Sequence, residues 1–481
     1  MLRILGHAKR ACDGVSRRDV MRVGALSLFG GMTWPRLVRA GATQPMDGTA
    51  EGPAKSVILF NLLGGPSQMD MFDPKPLAPA EVRGEFQPIS TSVPGLAICE
   101  HLPNTAQLMH RASLIRTVTH GYNAHNPLPI LTGYTGGDFA QLRVTPTDPP
   151  DIGAVCQYLG RGPRDLPGAV CLPCYPGWGE SSMYPGIRRP GPYGGFLGRQ
   201  YDPLFAVCEP TFERKPAFPY YDTVTPYGAP QVPGCDALPQ MTADRLDRRR
   251  SLLEQVEVQF AAMQKSGAID RMQAYQQRAF SMLCTSQTRD AFDLSQEPDP
   301  LRDRYGRNMF GSSLLVARRL VERGVPFVSV HAENFLPHGS FTYDMHENNF
   351  AMLRDNNLPV LDRAWPALVE DLDARGLFDS TLIVVMGEMG RSPKVNSKAG
   401  RDHWPQCGFS LLAGGGIKQG AVHGESDEHA AYPKNLPVSP ADIVATIYER
   451  LGIDPHMTVP DLTDRPVAIA HGGEPIRAIM A

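Results

Sequence analysis

The chain has 481 residues, enough for one large domain or two ordinary ones, and 42% of them are hydrophobic against 20% charged. That balance excludes an intrinsically disordered chain. A formal net charge of −3, with no long basic stripe, gives no reason to expect nucleic acid as a partner.

The first 40 residues read as an export signal. Ser16-Arg17-Arg18-Asp19 resembles a twin-arginine motif, an apolar stretch runs from Val23 to Trp34, and Val38-Arg39-Ala40 offers the small residues that a signal peptidase reads. The apolar stretch is short of the roughly 20 residues a membrane span needs, and no later segment is long and apolar enough. The expected product is an exported protein, periplasmic or extracellular, with no transmembrane span and a single domain over residues 41–481. Eight cysteines remain beyond the signal, an even number that permits disulfides without fixing their pairing. Cys171-Leu-Pro-Cys174 reads as a redox pair, half a zinc site or a simple loop.

Ser56 to Phe60 has the length and apolarity of a buried strand and opens into Asn61-Leu-Leu-Gly64-Gly65-Pro66-Ser67. Helix is expected over Leu102–Met109 and strand over Ala112–Val118. Residues 133–235 are rich in Gly, Pro and aromatics and read as a loop insertion or lid. Helical spacing returns from Thr242 to about Ser286 and over Ser312–Arg323, followed by a strand at Val325–Val330. Asn349–Arg375 reads as one long helix that Pro359 and Pro366 could kink or divide. Strands follow at Thr381–Met386 and Phe409–Ala413. A last helix covers Ala441–Leu451, with Ser439 and Asp442 spaced for a capping box. Alternating strands and helices predict an α/β fold, a doubly wound, mostly parallel sheet with helices on both faces and sites beyond the carboxyl ends of the strands.

Three fragments at such ends carry carboxylates and imidazoles: Tyr343-Asp344-Met-His346, Gly387-Glu388-Met-Gly-Arg391, and Arg401-Asp402-His403. Mixed oxygen and nitrogen donors suit zinc, iron or manganese. Each fragment also has a plain reading: a capped helix start at Asp344, an ion pair between Glu388 and Arg391, a structural hydrogen bond at Asp402-His403. Their occurrence in order, each after a strand, points to Asp344, His346, Glu388 and His403 as metal ligands.

The chain resembles the DUF1501 family of exported proteins, common in planctomycetes. The resemblance rests on Gly64-Gly-Pro-Ser-Gln-Met-Asp-Met-Phe-Asp-Pro-Lys75, Arg83-Gly-Glu-Phe86, Leu131-Thr-Gly133 and Tyr343-Asp-Met-His-Glu-Asn-Asn-Phe350. It continues through Val385-Met-Gly-Glu-Met-Gly-Arg-Ser-Pro393, Gly400-Arg-Asp-His-Trp-Pro405 and Leu412-Ala-Gly-Gly-Gly-Ile417. The family is similar to the alkaline phosphatase and sulfatase superfamily, which implies an alkaline phosphatase-like fold with one or two metals at the strand ends. Asp344 and His346 resemble that superfamily's middle ligands, Glu388 stands where an Asp-His pair usually follows a core strand, and His403 resembles the last metal-binding histidine.

The superfamily's nucleophile has no counterpart. Sulfatases place a modified Cys or Ser ten residues before the Gly of a Leu-Thr-Gly ending, and counting back from Gly133 reaches Asn123. An amide is no nucleophile for phosphoryl or sulfuryl transfer. A water activated by the metal, His120 or His125 as base or extra ligand, or Ser67 as replacement nucleophile could each stand in. Ser67 also reads as a turn residue, and Asp70 and Asp73 as turn formers before Pro74. Arg391 could hold an anionic substrate or pair with a carboxylate. The expectation is a hydrolase that uses a divalent metal, zinc or manganese, on a sulfate or phosphate ester of a small molecule or polysaccharide. The alternative is a fold relative without catalysis that binds or assembles at the cell envelope.

Overall fold

The computed structural model describes residues 50–137, 143–163, 166–174, 177–178, 187–215, 217, 221–232, 286–333 and 341–481. The expected signal and all but the last residue of the helical stretch at 242–286 lie outside the described residues.

Eight strands make the central sheet. In chain order they are β1 (Ser56–Leu62), β2 (Ala112–Val118), β3 (Ala169–Leu172), β4 (Leu204–Phe205), β5 (Phe327–Ala332), β6 (Thr381–Met386), β9 (Gly408–Ala413) and β10 (Val422–His423). Strands β7 (Gly390–Arg391) and β8 (His403–Trp404) form a separate antiparallel pair. The spatial order is β10-β2-β9-β6-β1-β5-β3-β4. Every neighbouring pair is parallel except the two that involve β9, which runs against both β6 and β2. Helices α1 (Pro103–Leu108) and α2 (Leu128–Thr132) precede and follow β2 in the chain.

The pleat of β1 sorts its side chains between two cores, as period-two alternation requires. Val57 and Leu59 face one core, with Ile152 of α3 (Ile152–Tyr158) and Ile443 and Ile447 of α6 (Pro440–Arg450). Ile58, Phe60 and Leu62 face the other, with Leu314 of α4 (Met309–Glu322) and Leu361 and Leu368 of α5 (Leu358–Ala374). The doubly wound architecture expected from the sequence is therefore present. The capping box at α6 is present too: the Asp442 N–H donates to Ser439 Oγ at 3.2 Å and Asp442 Oδ2 accepts the Ser439 N–H at 2.8 Å.

Two expectations change. The span 133–235 contributes α3, β3 and β4 to the body of the fold, so it is more than a loop insertion. The stretch 349–375 divides into a helix at Asn349–Met352, a π-helical turn at Leu353–Asn357 and then α5. Pro359 comes just after the π-helical turn, with helical backbone at Asn357 and Leu358 before it, whereas Pro366 lies inside α5. Cys171 and Cys174 are buried, and the Cys171 S–H points to the Cys174 carbonyl at 3.6 Å, so the pair is a packed turn. Cys99, Cys156, Cys208 and Cys407 are free thiols and also buried, while Cys235 and Cys284 lie outside the described residues. Among the described residues no helix is long and apolar enough to cross a membrane.

The reversal of β9 decides where side chains collect. Strands β1, β2, β5 and β6 end at one edge of the sheet, and β9 begins there, since Met386 pairs with Ser410 and Val118 with Gly408. The loops after β1, β2 and β5 and the whole connection from β6 to β9 thus open at the same edge.

Candidate metal centre

His125 comes from the loop after β2, just before α2. Asp344 and His346 come from the segment between β5 and α5. His403 lies on β8, opposite Arg391 on β7. One donor atom from each of His125, Asp344, His346 and His403 lies within 4.8 Å of the other three. Asp344 Oδ1 stands 3.1 Å from His125 Nε2, 3.1 Å from His346 Nε2 and 3.3 Å from His403 Nε2. Four ligands about 2.0–2.2 Å from a tetrahedral ion are about 3.3–3.6 Å apart, close to these separations. His125 is nearly buried, whereas Asp344, His346 and His403 keep a quarter to a third of their side-chain surface open. The cluster is thus seated in protein on one side and open on the other.

The other ring nitrogens decide the tautomers. His125 Nδ1 lies 2.7 Å from Glu388 Oε1, His346 Nδ1 2.9 Å from Asp402 Oδ1, and His403 Nδ1 3.2 Å from Asn123 Oδ1. All three partners are acceptors, so each Nδ1 carries the hydrogen. In the neutral rings the lone pairs are then on Nε2, and all three face the Asp344 oxygen. Arg391 Nη1 lies 3.5 Å from His346 Nε2 and can only donate, which requires a lone pair there. Lone pairs converging on a carboxylate oxygen repel unless a proton or a cation stands among them.

Protonation follows this geometry. Burial alone would raise Asp344, but hydrogen bonds from His125, His346 and His403 hold it well below the usual carboxylate range. The Asp344 contact pushes His346 up. For His125 burial works downward and is outweighed by Asp344 and Glu388, so the net shift is upward. Burial lowers His403.

Glu388, expected as a ligand, stands behind the cluster. It is fully buried, and the Gly64 N–H lies 2.9 Å and 3.1 Å from its two oxygens. With Oε1 also on His125, it holds a ring; it is not among the four convergent donors. Histidine ligands of metals regularly donate their second N–H to such a carboxylate.

Arg391 is fully buried and spent within the protein. Nε donates to Gly65 O at 3.0 Å, Nη1 to Arg401 O at 3.0 Å, and Nη2 to Asp344 Oδ1 at 2.6 Å and to Gly64 O. No arm is left to clamp a substrate. Ser67, considered as a nucleophile, is 2% exposed and accepts the Asp70 N–H at 3.4 Å as the cap of a short helix, Gln68–Met71. Asp70 is more than a turn former, making a buried ion pair with Arg401, with Nε to Oδ2 at 2.7 Å. Asp73 pairs with Lys75 at 3.0 Å and Arg116 at 3.3 Å. His120 lies outside the four donors, and burial pushes it down to about 4.

Sequence reading misses Asp402 and Asn123 as holders of His346 and His403. For Asp402 the adjacent His403 is a signal, but it suggests the wrong histidine. For Asn123 the count from Gly133 marks the position without its role.

A family model described as a protein of unknown function, DUF1501, matches residues 54–480. This chain belongs to the DUF1501 family. No curated protein matches the DUF1501 chain. Similar solved structures include the PsFucS1 sulfatase from Pseudoalteromonas sp., with 14% identity, 91% of this chain and 75% of that one covered, and a TM-score of 0.36. A protein in the alkaline phosphatase superfamily from Vibrio parahaemolyticus shows 10% identity, 90% and 72% coverage, and a TM-score of 0.36. The phosphonate monoester hydrolase SpPMH from Silicibacter pomeroyi shows 13% identity, 88% and 75% coverage, and a TM-score of 0.32.

Proposed function

We propose that this DUF1501 protein is an exported hydrolase of the sulfatase and phosphatase-like class, acting with one divalent metal on a sulfate or phosphate ester. One observation carries the reading: three imidazoles, each fixed by an acceptor at Nδ1, turn Nε2 toward a single carboxylate oxygen 3.1–3.3 Å away. Three nitrogens and one oxygen fit zinc or manganese by donor type. A bound divalent ion would polarise an ester oxygen and acidify water.

The chain's own residues make the site stiff. Glu388, Asp402 and Asn123 fix the rings, and Arg391 fixes Asp344. His125 is committed at both nitrogens, which suits a ligand better than a base. The open side at His346 and Asp344 is where an anionic small molecule or polysaccharide ester would enter.

Metal analysis of the folded, purified protein tests this, together with a screen of aryl sulfates and aryl phosphates in added zinc or manganese. The expected result is about one transition metal per chain and turnover that His403→Ala abolishes. Folded protein that takes up no metal would overturn the ligand assignment. A second reading, a binding or assembly protein at the cell envelope, draws on the commitment of Ser67 to a helix cap and of Asn123 to His403. Metal retention without turnover on any ester would favour it.

A further inference from the structure

Asp344 Oδ1 meets three imidazole nitrogens, at 3.1 Å, 3.1 Å and 3.3 Å, and the Arg391 guanidinium at 2.6 Å. Two-metal sites hold two positive centres about 3.5–4 Å apart, and here a guanidinium supplies a positive centre on the oxygen that the imidazoles surround. We propose that Arg391 is the permanent second cation of this centre, so that Asp344 bridges one exchangeable divalent ion and one fixed guanidinium, and the site accepts a single ion. This rests on the metal reading of the preceding section.

Placement and donor supply both support it. Arg391 is fully buried and tied to the carbonyls of Gly64, Gly65 and Arg401, so it cannot swing aside. A second ion would also need donors of its own. Glu388 has both oxygens on the Gly64 N–H and one on His125. Asp402 Oδ1 is held by His346 Nδ1 at 2.9 Å and Asn396 Nδ2 at 3.4 Å. Among the described residues only one group of His, Cys, Asp or Glu side chains converges in this manner. The guanidinium also opposes the incoming ion, because like charges on one carboxylate repel.

Two readouts independent of turnover test this. Element analysis after saturation with manganese, then dialysis, gives the stoichiometry, and electron paramagnetic resonance separates an isolated Mn(II) from a spin-coupled pair. The expected wild-type result is one ion per chain with an isolated signal; two ions with coupling would overturn the proposal. Arg391→Gln removes the charge. If it folds by circular dichroism, it should bind the first ion at least tenfold tighter, because the repulsion is gone. Weaker binding in a folded Arg391→Gln would show a merely structural role and overturn the proposal. Should Arg391→Gln fail to fold, Arg391→Lys, which keeps the charge, decides: one ion per chain is expected, and two would overturn the proposal. Absence of any metal from folded wild-type protein would instead remove the metal reading itself.

Discussion

Replacing Glu388 by Gln separates a residue that holds a ligand from one that binds the ion. The wild-type carboxylate accepts the Gly64 N–H on both oxygens, at 2.9 Å and 3.1 Å, and His125 Nδ1–H on Oε1 at 2.7 Å. A glutamine has one acceptor oxygen. With that oxygen at the Oε1 place it keeps both bonds there, but its NH2 then stands 3.1 Å from the Gly64 nitrogen, donor against donor in a fully buried place, and the negative charge behind His125 is gone. Hydrogen bonds to charged groups contribute about 1.5–3 kcal/mol net, and loss of an outer partner of a ligating histidine costs about 10–100-fold in metal affinity. At about 1.4 kcal/mol per tenfold, the two scales agree, and loss of the charge behind His125 with both bonds kept sets the expected loss near the lower end, about 10-fold. Competition with a chromophoric chelator at about pH 7, on protein shown to be folded, measures it. His403→Ala, which removes a direct donor, should lose more. An affinity for Glu388→Gln within threefold of wild type would refute the holding role. A loss equal to that of His403→Ala would return Glu388 to the ligand set.

Gly64 has φ +113°, and an added Cβ would meet the Asp344 backbone nitrogen at 2.2 Å. Gly64→Ala should destabilise by about 3 kcal/mol, combining backbone strain and overpacking, and a urea midpoint close to wild type would refute this. In metal-free protein, His125 and His346 have folded pKa values raised above the unfolded value of about 6.5, so their contribution is complete below that pH and fades as pH rises through the raised values. Metal affinity should move the opposite way, strengthening with pH as the ligands shed protons; urea and metal titrations between about pH 5.5 and 8.5 check both, and pH-independent curves would contradict them. Far from the site, Arg318 is fully buried with Glu297 and Glu322 each at 2.6 Å and Asp371 at 2.9 Å. Arg318→Met leaves Glu297 with Arg319 and Asp371 with Arg375 but removes their shared buried partner, and should cost about 1.5–3 kcal/mol in chemical denaturation; a loss under about 0.5 kcal/mol would contradict the ion network's role.

Much of the scaffold is legible in the sequence because its signals are local. Thr381–Met386 is a nearly continuous apolar run and Ala112–Val118 is rich in apolar residues, and the strands match both stretches end to end. Helical spacing puts the start of α4 three residues late, at Ser312, because its cap is Asn308, whose Oδ1 accepts the N–H groups of Phe310 and Gly311. The short strands β3 and β4 are not legible, since β3 takes its pairing from β5 across a large sequence separation, β4 takes its pairing from β3, and neither has a periodicity of its own. At the site, residue types at strand ends point to Asp344, His346 and His403. Residue type does not show which way a carboxylate faces, so Glu388 reads as a ligand to the ion, whereas it sits on the far side of the His125 ring. Nor does it show that Asp402 serves His346, a partner 56 positions away.

Because β9 runs against β6, the chain between Met386 and Gly408 leaves one edge of the sheet and returns to the same edge. That single excursion delivers Glu388, Arg391, Arg401, Asp402 and His403 without crossing a core. It behaves as a cassette. Only its exposed tip, residues 397–399, can drift in length at little thermodynamic cost, since each doubling of a flexible loop adds only about 0.6 kcal/mol of closure entropy. The register of β6 on β9 does not depend on what the cassette contains. Any transplant of the segment between members of the family must carry its partners Gly64, Gly65, Gln68 and Asp70 along, because Glu388, Arg391 and Arg401 are bonded to them.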